Sequence, residues 1–167
     1  FRVDMAIGAS SNTILHLTDL AEEAGLKFDL KEIDRISNST PNLVKIAPSS
    51  QYHMNDFHEA GGVPLILSEL KKGKLIQNTP SVDGMLFDKL DEVKNKRPDI
   101  VKSFEKPISR QGGLLILFGS LCPKGAIIKA VGLSPETPLP FIGTARVFDS
   151  EEESLKFIES RCAAGVS

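Results

Sequence analysis

The most informative stretch of this chain is Gly112–Lys129, with the sequence GGLLILFGSLCPKGAIIK. Two short apolar runs, Leu114–Phe118 and Ala126–Val131, flank a connection that contains Pro123 and Gly125. Short apolar runs bounded by turn-forming residues are typical of buried strands. The stretch therefore predicts two strands joined by a tight turn.

The sequence before this stretch predicts mainly helices. Apolar residues at helical spacing predict a helix over Asn12–Ala24, with Ser10 or Ser11 as its N-cap and Gly25 at its end. Its apolar face would consist of Ile14, Leu15, Leu17, Leu20, Ala21 and Ala24.

Capping and periodicity predict four further helices before the hairpin. Asp29 and Glu32 have the spacing of a capping box with Asp in the capping role, and they predict a helix to about Ser37. The other predicted helices are Met54–Ala60, Val63–Lys72 and Ser81–Val93. The last helix would direct Met85, Leu86 and Leu90 inward.

The sequence after the hairpin predicts a loop, a strand and a helix. Ser134–Pro140 contains three prolines and is expected to be irregular. Ala145–Phe148 is predicted as a strand, and Ser150 with Glu153 forms a capping box for a helix that ends near Ser160.

Composition and element order indicate an α/β chain in two parts. The chain has 167 residues, of which 41% are hydrophobic and 25% are charged, as in ordinary globular proteins. Helices come first and strands later, so we predict domains at residues 1–104 and 105–167. The chain opens on Phe1 in mid-pattern, and we interpret it as an internal piece of a longer protein.

Charge and cysteine content narrow the classes of partner. The net charge of −2 gives no electrostatic argument for nucleic acid or an anionic membrane. The sequence has no apolar run near the 18 or so residues of a membrane helix, and its first residues do not have the pattern of a signal peptide. The two cysteines are too few for a disulfide framework and favour a cytosol-like, reducing compartment. We therefore expect no nucleic-acid partner, no membrane partner and a cytoplasmic location.

Two glycine-containing turns have a functional interpretation and a structural one. At Gly8–Asn12, backbone N–H groups and the Ser10 or Asn12 side chain could bind a carboxylate at a helix N-terminus, or the turn could simply cap the helix. Gly112–Gly113 lacks the spacing of a phosphate-binding loop, and an unusual backbone angle at the strand entry is the better interpretation.

The histidines give only weak evidence for a metal-binding site. His53, Asp56, His58 and Glu59 lie within seven residues. The two histidines are five positions apart, whereas residues four apart share a helix face, so a solvated loop and helix start is the favoured interpretation. His16, between two leucines, is expected to be packed and hydrogen-bonded.

Four blocks in order resemble the dihydroxy-acid and sugar-acid dehydratases. The family pattern is a GGSTN-type turn, an xEAGG turn, a GGLAxLxGNLAPxGAxxK hairpin and a PARVFDSEEEA-type strand and helix. The corresponding blocks are GASSNT (Gly8–Thr13), HEAGG (His58–Gly62), the hairpin stretch and ARVFDSEEE (Ala145–Glu153). The resemblance extends from about Met5 to Ile158.

The resemblance implies a fold and an activity. It implies the helix-rich end of an N-terminal α/β domain followed by the start of a swivelling β-domain. The family removes water from 2,3-dihydroxy acids and leaves 2-keto acids, using an iron–sulfur cluster and magnesium. The stretch Lys45–Gly62 looks most like dihydroxy-acid dehydratases of branched-chain amino-acid synthesis, with sugar-acid and 6-phosphogluconate dehydratases as alternatives. The parent would be a cytoplasmic homodimer.

The resemblance assigns no catalytic residue and no metal ligand to this chain. In the family these residues lie before the GGSTN turn or beyond the final helix. Cys122 stands where alanine is usual and Cys162 lies in a variable tail, so neither matches a cluster ligand. We expect the isolated chain to be inactive and without cofactor, with Ser10 and Asn12 as candidate substrate-binding residues. A non-catalytic module that docks on a partner or completes a dimer is a further alternative.

Overall fold

The structure is a computed structural model that describes residues 1–82, 84–133 and 140–163. It divides into two compact units, Phe1–Leu133 and Ser134–Ser167. The described residues form helices and small antiparallel sheets, so the predicted mixed α/β class is confirmed at that level.

The helices are α1 (Arg2–Ile7), α2 (Asn12–Glu23), α3 (Leu30–Ser39), α4 (Met54–Ala60), α5 (Gly62–Lys72) and α6 (Glu151–Ala163). The strands are β1 (Pro80–Ser81), β2 (Gly84–Met85), β3 (Leu114–Leu117) and β4 (Ala126–Lys129). Short 3-10 turns occupy Leu86–Lys89 and Ala130–Gly132.

Local signals explain where the predicted helices begin and end. The Asp29 carboxylate accepts a hydrogen bond from the Glu32 N–H at 2.8 Å and caps α3, as predicted. Gly25 follows α2 in the left-handed region at φ 72, where glycine carries no Cβ penalty. The Ser150 hydroxyl accepts from the Glu153 N–H at 3.2 Å, and this confirms the predicted cap of α6.

The larger core is built around an extended segment that crosses the first unit. Leu43 and Val44 are fully buried and pack with α1, α4 and α5. Ile100 and Val101 complete the same cluster, and Val44 pairs with Val101 in an isolated antiparallel bridge. Residues far apart in sequence therefore share one core.

Glu69 links α5 to the chain that follows this core. Its side chain is only 3% exposed, and it forms a salt bridge with Lys72. The Phe104 N–H donates to the other carboxylate oxygen at 2.8 Å. A buried carboxylate with both partners present is tolerated because its charge and its lone pairs are satisfied.

The β3–β4 hairpin confirms the strands predicted from Gly112–Lys129. Its register pairs Leu114 with Lys129 and Leu117 with Ala126. The inner face packs on α3, where the Ser37 hydroxyl donates to the Leu114 carbonyl. A second, smaller core forms there from Met5, Ile14, Ile33, Leu114 and Ile116.

The prediction of a helix over Ser81–Val93 is wrong. The structure has β1, β2 and one 3-10 turn in that range. Asn78 accepts the Phe87 N–H at 2.9 Å, and Asp88 accepts the Met85 N–H at 3.1 Å. These local side-chain bonds replace the backbone bonds that a helix would need.

The strand predicted at Ala145–Phe148 is also absent from the described residues. Strand pairing needs a second strand, and none of the described residues pairs with this segment. Within this unit Phe148 packs on Phe157 of α6 at 5.4 Å between ring centroids, and the Arg146 guanidinium lies over the Phe157 ring at 4.1 Å. Of the predicted loop Ser134–Pro140, residues 134–139 lie outside the described residues.

Much of the predicted apolar face of α2 is solvent-exposed. Ile14 is buried, but Leu15 and Leu20 are 60% and 65% exposed. Leu26 and the hairpin residue Leu121 are exposed as well. Among the described helices, none combines the length and the apolar character that crossing a membrane requires.

Candidate functional site

The turn between α1 and α2 is formed by Gly8–Asn12. Gly8 has φ 58 and ψ 49, a left-handed conformation that ends α1. The Ala9 N–H donates to the Asp4 carbonyl at 3.2 Å, and the Thr13 N–H donates to the Ser10 carbonyl at 3.0 Å. The turn is therefore held by backbone bonds on both sides.

A close glycine contact fixes the turn against the hairpin. A Cβ atom on Gly113 would lie 2.3 Å from the Gly8 Cα, and one on Gly8 would lie 2.9 Å from Val131. The Gly113 N–H donates to the Met5 carbonyl at 2.9 Å. Neither Gly112 nor Gly113 has a positive φ, so the predicted unusual backbone angle is wrong. The glycines serve close packing instead.

Ser10 and Asn12 both lie on this turn with exposed side chains. The Ser10 hydroxyl accepts from the Asn12 N–H at 3.2 Å. Ser11 is the N-cap of α2 but makes no capping bond with its side chain. Within the described residues, the backbone N–H groups of Ser10 and Ser11 and the side-chain amide of Asn12 have no hydrogen-bond partner. The structure therefore presents open donors at the positive end of a helix, an arrangement that suits an anion.

Asp4 lies buried beside this turn and was not singled out from the sequence. The residue is 5% exposed, and neither carboxylate oxygen has a hydrogen-bond partner among the described residues. Burial raises the pKa of Asp4 above its ordinary 3.8, and the nearby Thr13 hydroxyl and Lys129 lower this pKa in part. The sequence does contain a signal for it: Asp4 is the one polar residue in the apolar run Val3–Ile7, and this run comes directly before the glycine turn.

Comparison with known proteins identifies the family of this chain. The family model "Dihydroxy-acid/6-phosphogluconate dehydratase N-terminal" matches residues 1–90. The model "Dihydroxy-acid/6-phosphogluconate dehydratase C-terminal" matches residues 99–166. The chain belongs to the dihydroxy-acid/6-phosphogluconate dehydratase family.

Three similar members of the family share the same protein name. A protein of Carboxydothermus hydrogenoformans named "Dihydroxy-acid dehydratase" is 44% identical over 154 residues, which are 91% of this chain and 28% of that protein. Proteins of the same name from Caldanaerobacter subterraneus and Aquifex aeolicus are 44% identical over 160 and 163 residues, in each case 95% of this chain and 29% of the relative. The chain thus spans less than a third of the length of these curated relatives.

The polar residues near the xEAGG block, which include His53 and Asp56, lie at the start of α4 and in its turns. The Asp56 carboxylate accepts from the His53 N–H at 2.7 Å at the start of α4. The side chains of His53, His58 and Glu59 are exposed, which agrees with a solvated helix start. His16 is exposed too, so the prediction of a packed histidine is wrong.

The described part of the dehydratase chain lacks a donor set for a metal or cluster. Across residues 1–82, 84–133 and 140–163, no three His, Cys, Asp or Glu side chains are grouped so that they could hold a metal ion. Cys122 and Cys162 are exposed free thiols, and the Cys122 Sγ bonds the Gly125 carbonyl at 3.0 Å. These residues do not fit an iron–sulfur cluster, which needs several thiolates at one place.

An open depression on the described part of the chain lies away from the turn. It has a volume of ≈ 910 Å³ and contains no residue of the Gly8–Asn12 turn. Its lining includes Asp19, Glu22, Lys27, Asp29, Glu32 and Arg35. Arg35 and Glu32 already form a salt bridge at 2.6 Å, so part of this charge is satisfied internally.

Proposed function

We propose that this chain is part of a dihydroxy-acid dehydratase, a hydro-lyase that converts a 2,3-dihydroxy acid to a 2-keto acid. The reaction removes the C2 proton and the C3 hydroxyl as water, and the resulting enol tautomerises to the ketone. Family membership and three relatives of this name at 44% identity support the proposal. The family also includes 6-phosphogluconate dehydratases, which are the second candidate.

We propose that this chain contributes substrate binding and framework, and that the rest of the enzyme contributes the catalytic groups. The support is the open donor set at the Gly8–Asn12 turn, together with the lack of any metal-binding group in the described residues. Ser10 and Asn12 would contact the carboxylate or a hydroxyl of the substrate. An iron–sulfur cluster and magnesium, implied by the resemblance alone, would be held by residues outside this chain and would supply Lewis-acid chemistry.

Further parts of the proposal concern architecture and cellular setting. We propose that residues 1–104 belong to the N-terminal α/β domain and that residues 105–167 begin a swivelling β-domain. The parent is proposed to be a cytoplasmic homodimer in branched-chain amino-acid synthesis, without nucleic-acid or membrane partners. The net charge of −2 and the free cysteines support the setting, and the exposed apolar residues on α2 support association.

A chimaera tests the activity directly. The matching 163 residues of the Aquifex aeolicus relative are replaced by this chain, and turnover of 2,3-dihydroxyisovalerate and 6-phosphogluconate is measured. We expect dehydration of the dihydroxy acid and little activity on the phosphorylated sugar acid, whereas the chain alone is expected to be inactive. A folded, cofactor-loaded chimaera that dehydrates only 6-phosphogluconate would favour the second candidate, and one inactive on both would refute the proposal.

Variants of the same chimaera test the binding role of the turn. Asn12→Ala is expected to raise KM about tenfold, because it removes a hydrogen bond of roughly 1.5 kcal/mol to a charged group. Ser11→Ala is the matched control, since that hydroxyl makes no capping bond, and its KM should not change. Equal KM values for both variants would remove Asn12 from the substrate site.

A further inference from the structure

Asp4 is an unusual buried carboxylate in this chain. Asp4 and Glu69 are the acidic side chains that are buried among the described residues. Glu69 has a lysine and a backbone N–H as partners, whereas neither carboxylate oxygen of Asp4 meets the geometry of a hydrogen bond, although the Thr13 hydroxyl is close enough to lower the pKa of Asp4. A buried anion without partners is costly, so a neutral Asp4 is much better tolerated than a charged one.

The position of Asp4 connects it to the turn at the start of α2. Its carbonyl accepts the Ala9 N–H at 3.2 Å, and its carboxyl faces Thr13 in the first turn of α2. Thr13 follows Asn12 directly, so the carboxyl lies next to the turn that carries the open donors. The charged groups that act on it are Lys129 of β4 and, in the isolated 167-residue chain, the terminal amino group of Phe1. Arg2, on the same helix, instead donates to Thr40 at 2.9 Å.

We propose that Asp4 couples proton binding to ligand binding at the Gly8–Asn12 turn. In its neutral form it permits the carboxylate of a 2,3-dihydroxy acid to occupy the helix N-terminus, and its ionisation weakens that binding. The inference rests on the proposed substrate role of this turn. It adds a positioning residue that acts through the electrostatic potential of the turn and does not touch the ligand.

The direction of the coupling follows from charge repulsion in a poorly screened site. A negative charge beside the turn opposes the field of the α2 N-terminus, and the burial of Asp4 limits the screening of that charge by solvent. A bound carboxylate therefore favours the protonated form, and by reciprocity protonation favours the bound carboxylate. Coupling of this kind typically changes affinity about fivefold or more.

Stability has a corresponding pH dependence. The pKa of Asp4 is higher in the folded than in the unfolded chain, so the folded chain holds this proton more tightly. The contribution of Asp4 to stability is therefore greatest below pH 3.8 and falls as the pH rises through the raised pKa. Asp4→Asn removes the charge at nearly constant shape and should raise the denaturation midpoint at pH 7.

The first test uses the 167-residue chain without ligand. Side-chain carboxyl shifts in aspartate-labelled protein give the titration of Asp4, and amide shifts report on Ser10, Ser11 and Asn12. We expect Asp4 to titrate above 3.8 and these amides to shift with the same midpoint. In Asp4→Asn the shared midpoint should disappear, while Asp99 should titrate as before. The coupling would be overturned if Asp4 ionised at its ordinary pKa, or if the amide shifts of the turn did not change with the ionisation of Asp4.

The second test uses glycerate, the smallest 2,3-dihydroxy acid, as the probe. Its affinity for the wild-type chain, followed at the turn amides, should fall about fivefold or more as Asp4 ionises. In Asp4→Asn the affinity should stay constant over the same pH range. A pH-dependent affinity that persists in Asp4→Asn would assign the effect to another group and overturn the inference.

The two tests separate this inference from the proposed function. If the turn amides follow Asp4 but glycerate does not bind, the coupling stands and the substrate role of the turn fails. If glycerate binds with the same affinity before and after Asp4 ionises, the substrate role stands and the coupling fails.

Discussion

Gly113→Ala is expected to destabilise the first unit, because the added methyl group has no room. The new Cβ would lie 2.3 Å from the Gly8 Cα and 3.0 Å from the Val131 Cγ1. The first contact is with backbone, so a side-chain rotation cannot relieve it. Inserting one methyl group into a packed core costs about 1–3 kcal/mol, and a contact this short with backbone favours the upper half of that range.

The unfolded state offsets part of this cost. Replacing Gly by Ala restricts the unfolded chain and returns about 0.4–1 kcal/mol where the backbone angle is acceptable. Gly113 does not have a positive φ, so this gain applies. The net expectation is a loss of about 2 kcal/mol in the free energy of unfolding, which lowers Tm by roughly 4–8 °C for a chain of this length.

Gly119→Ala is the matched control on the same hairpin. A Cβ on Gly119 meets no atom within 4 Å, and its φ is not positive. We expect its stability to stay within about 0.5 kcal/mol of wild type. Both variants are compared by denaturant unfolding followed by far-ultraviolet circular dichroism. Equal midpoints for the two variants would show that the Gly8–Gly113 contact is not as tight as described, and would refute the reasoning.

Three further predictions concern single side chains. Glu69→Ala should lower the free energy of unfolding by about 1–2 kcal/mol because it leaves the part-buried Phe104 N–H without its acceptor, while Glu59→Ala, at an exposed position, should change it little. Similar losses for the two variants in denaturant unfolding would contradict this. Asp29→Ala should cost about 1 kcal/mol through the lost cap, whereas Ser11→Ala, at an N-cap without a side-chain bond, should cost almost nothing in the same assay. A hydrogen-bonded arginine lowers the pKa of Asp99 to about 2, so the stabilising effect of this pair should be present above pH 3.8 and disappear as the pH falls through about 2. A carboxyl titration of Asp99 by NMR near 3.8 would contradict that assignment.

Features with short-range causes were predictable from the sequence. Asp29 caps α3 because its carboxylate reaches a backbone N–H three residues later, and Gly25 ends α2 because it adopts a positive φ. The β3–β4 hairpin was predictable because Gly125 and its neighbours form a turn between two apolar runs. Each of these signals is complete within a few residues.

Features that depend on distant residues were not predictable in the same way. The surroundings of Asp4 include Thr13 and Lys129, and Lys129 on β4 is more than a hundred residues away in the sequence. The Gly112–Gly113 pair suggested an unusual angle, whereas the actual constraint is contact with another segment of the chain. His16 and its leucine neighbours follow a helical pattern, but this pattern alone does not predict which of these side chains are buried against another element.

The shared core of the first unit limits where two members of this family can be joined into a hybrid protein. The two family models meet between residues 90 and 99, which suggests a natural crossover point. Yet Ile100 and Val101, on the far side of that point, complete the packing around Leu43 and Val44 on the near side. A hybrid protein that joins two relatives at this point would build one core from two different sequences, which did not evolve to pack together. Leu114 and Ile116 also pack with Met5 and Ile14 in the second core, so successful hybrids should carry the segment through β4 together with the first ninety residues.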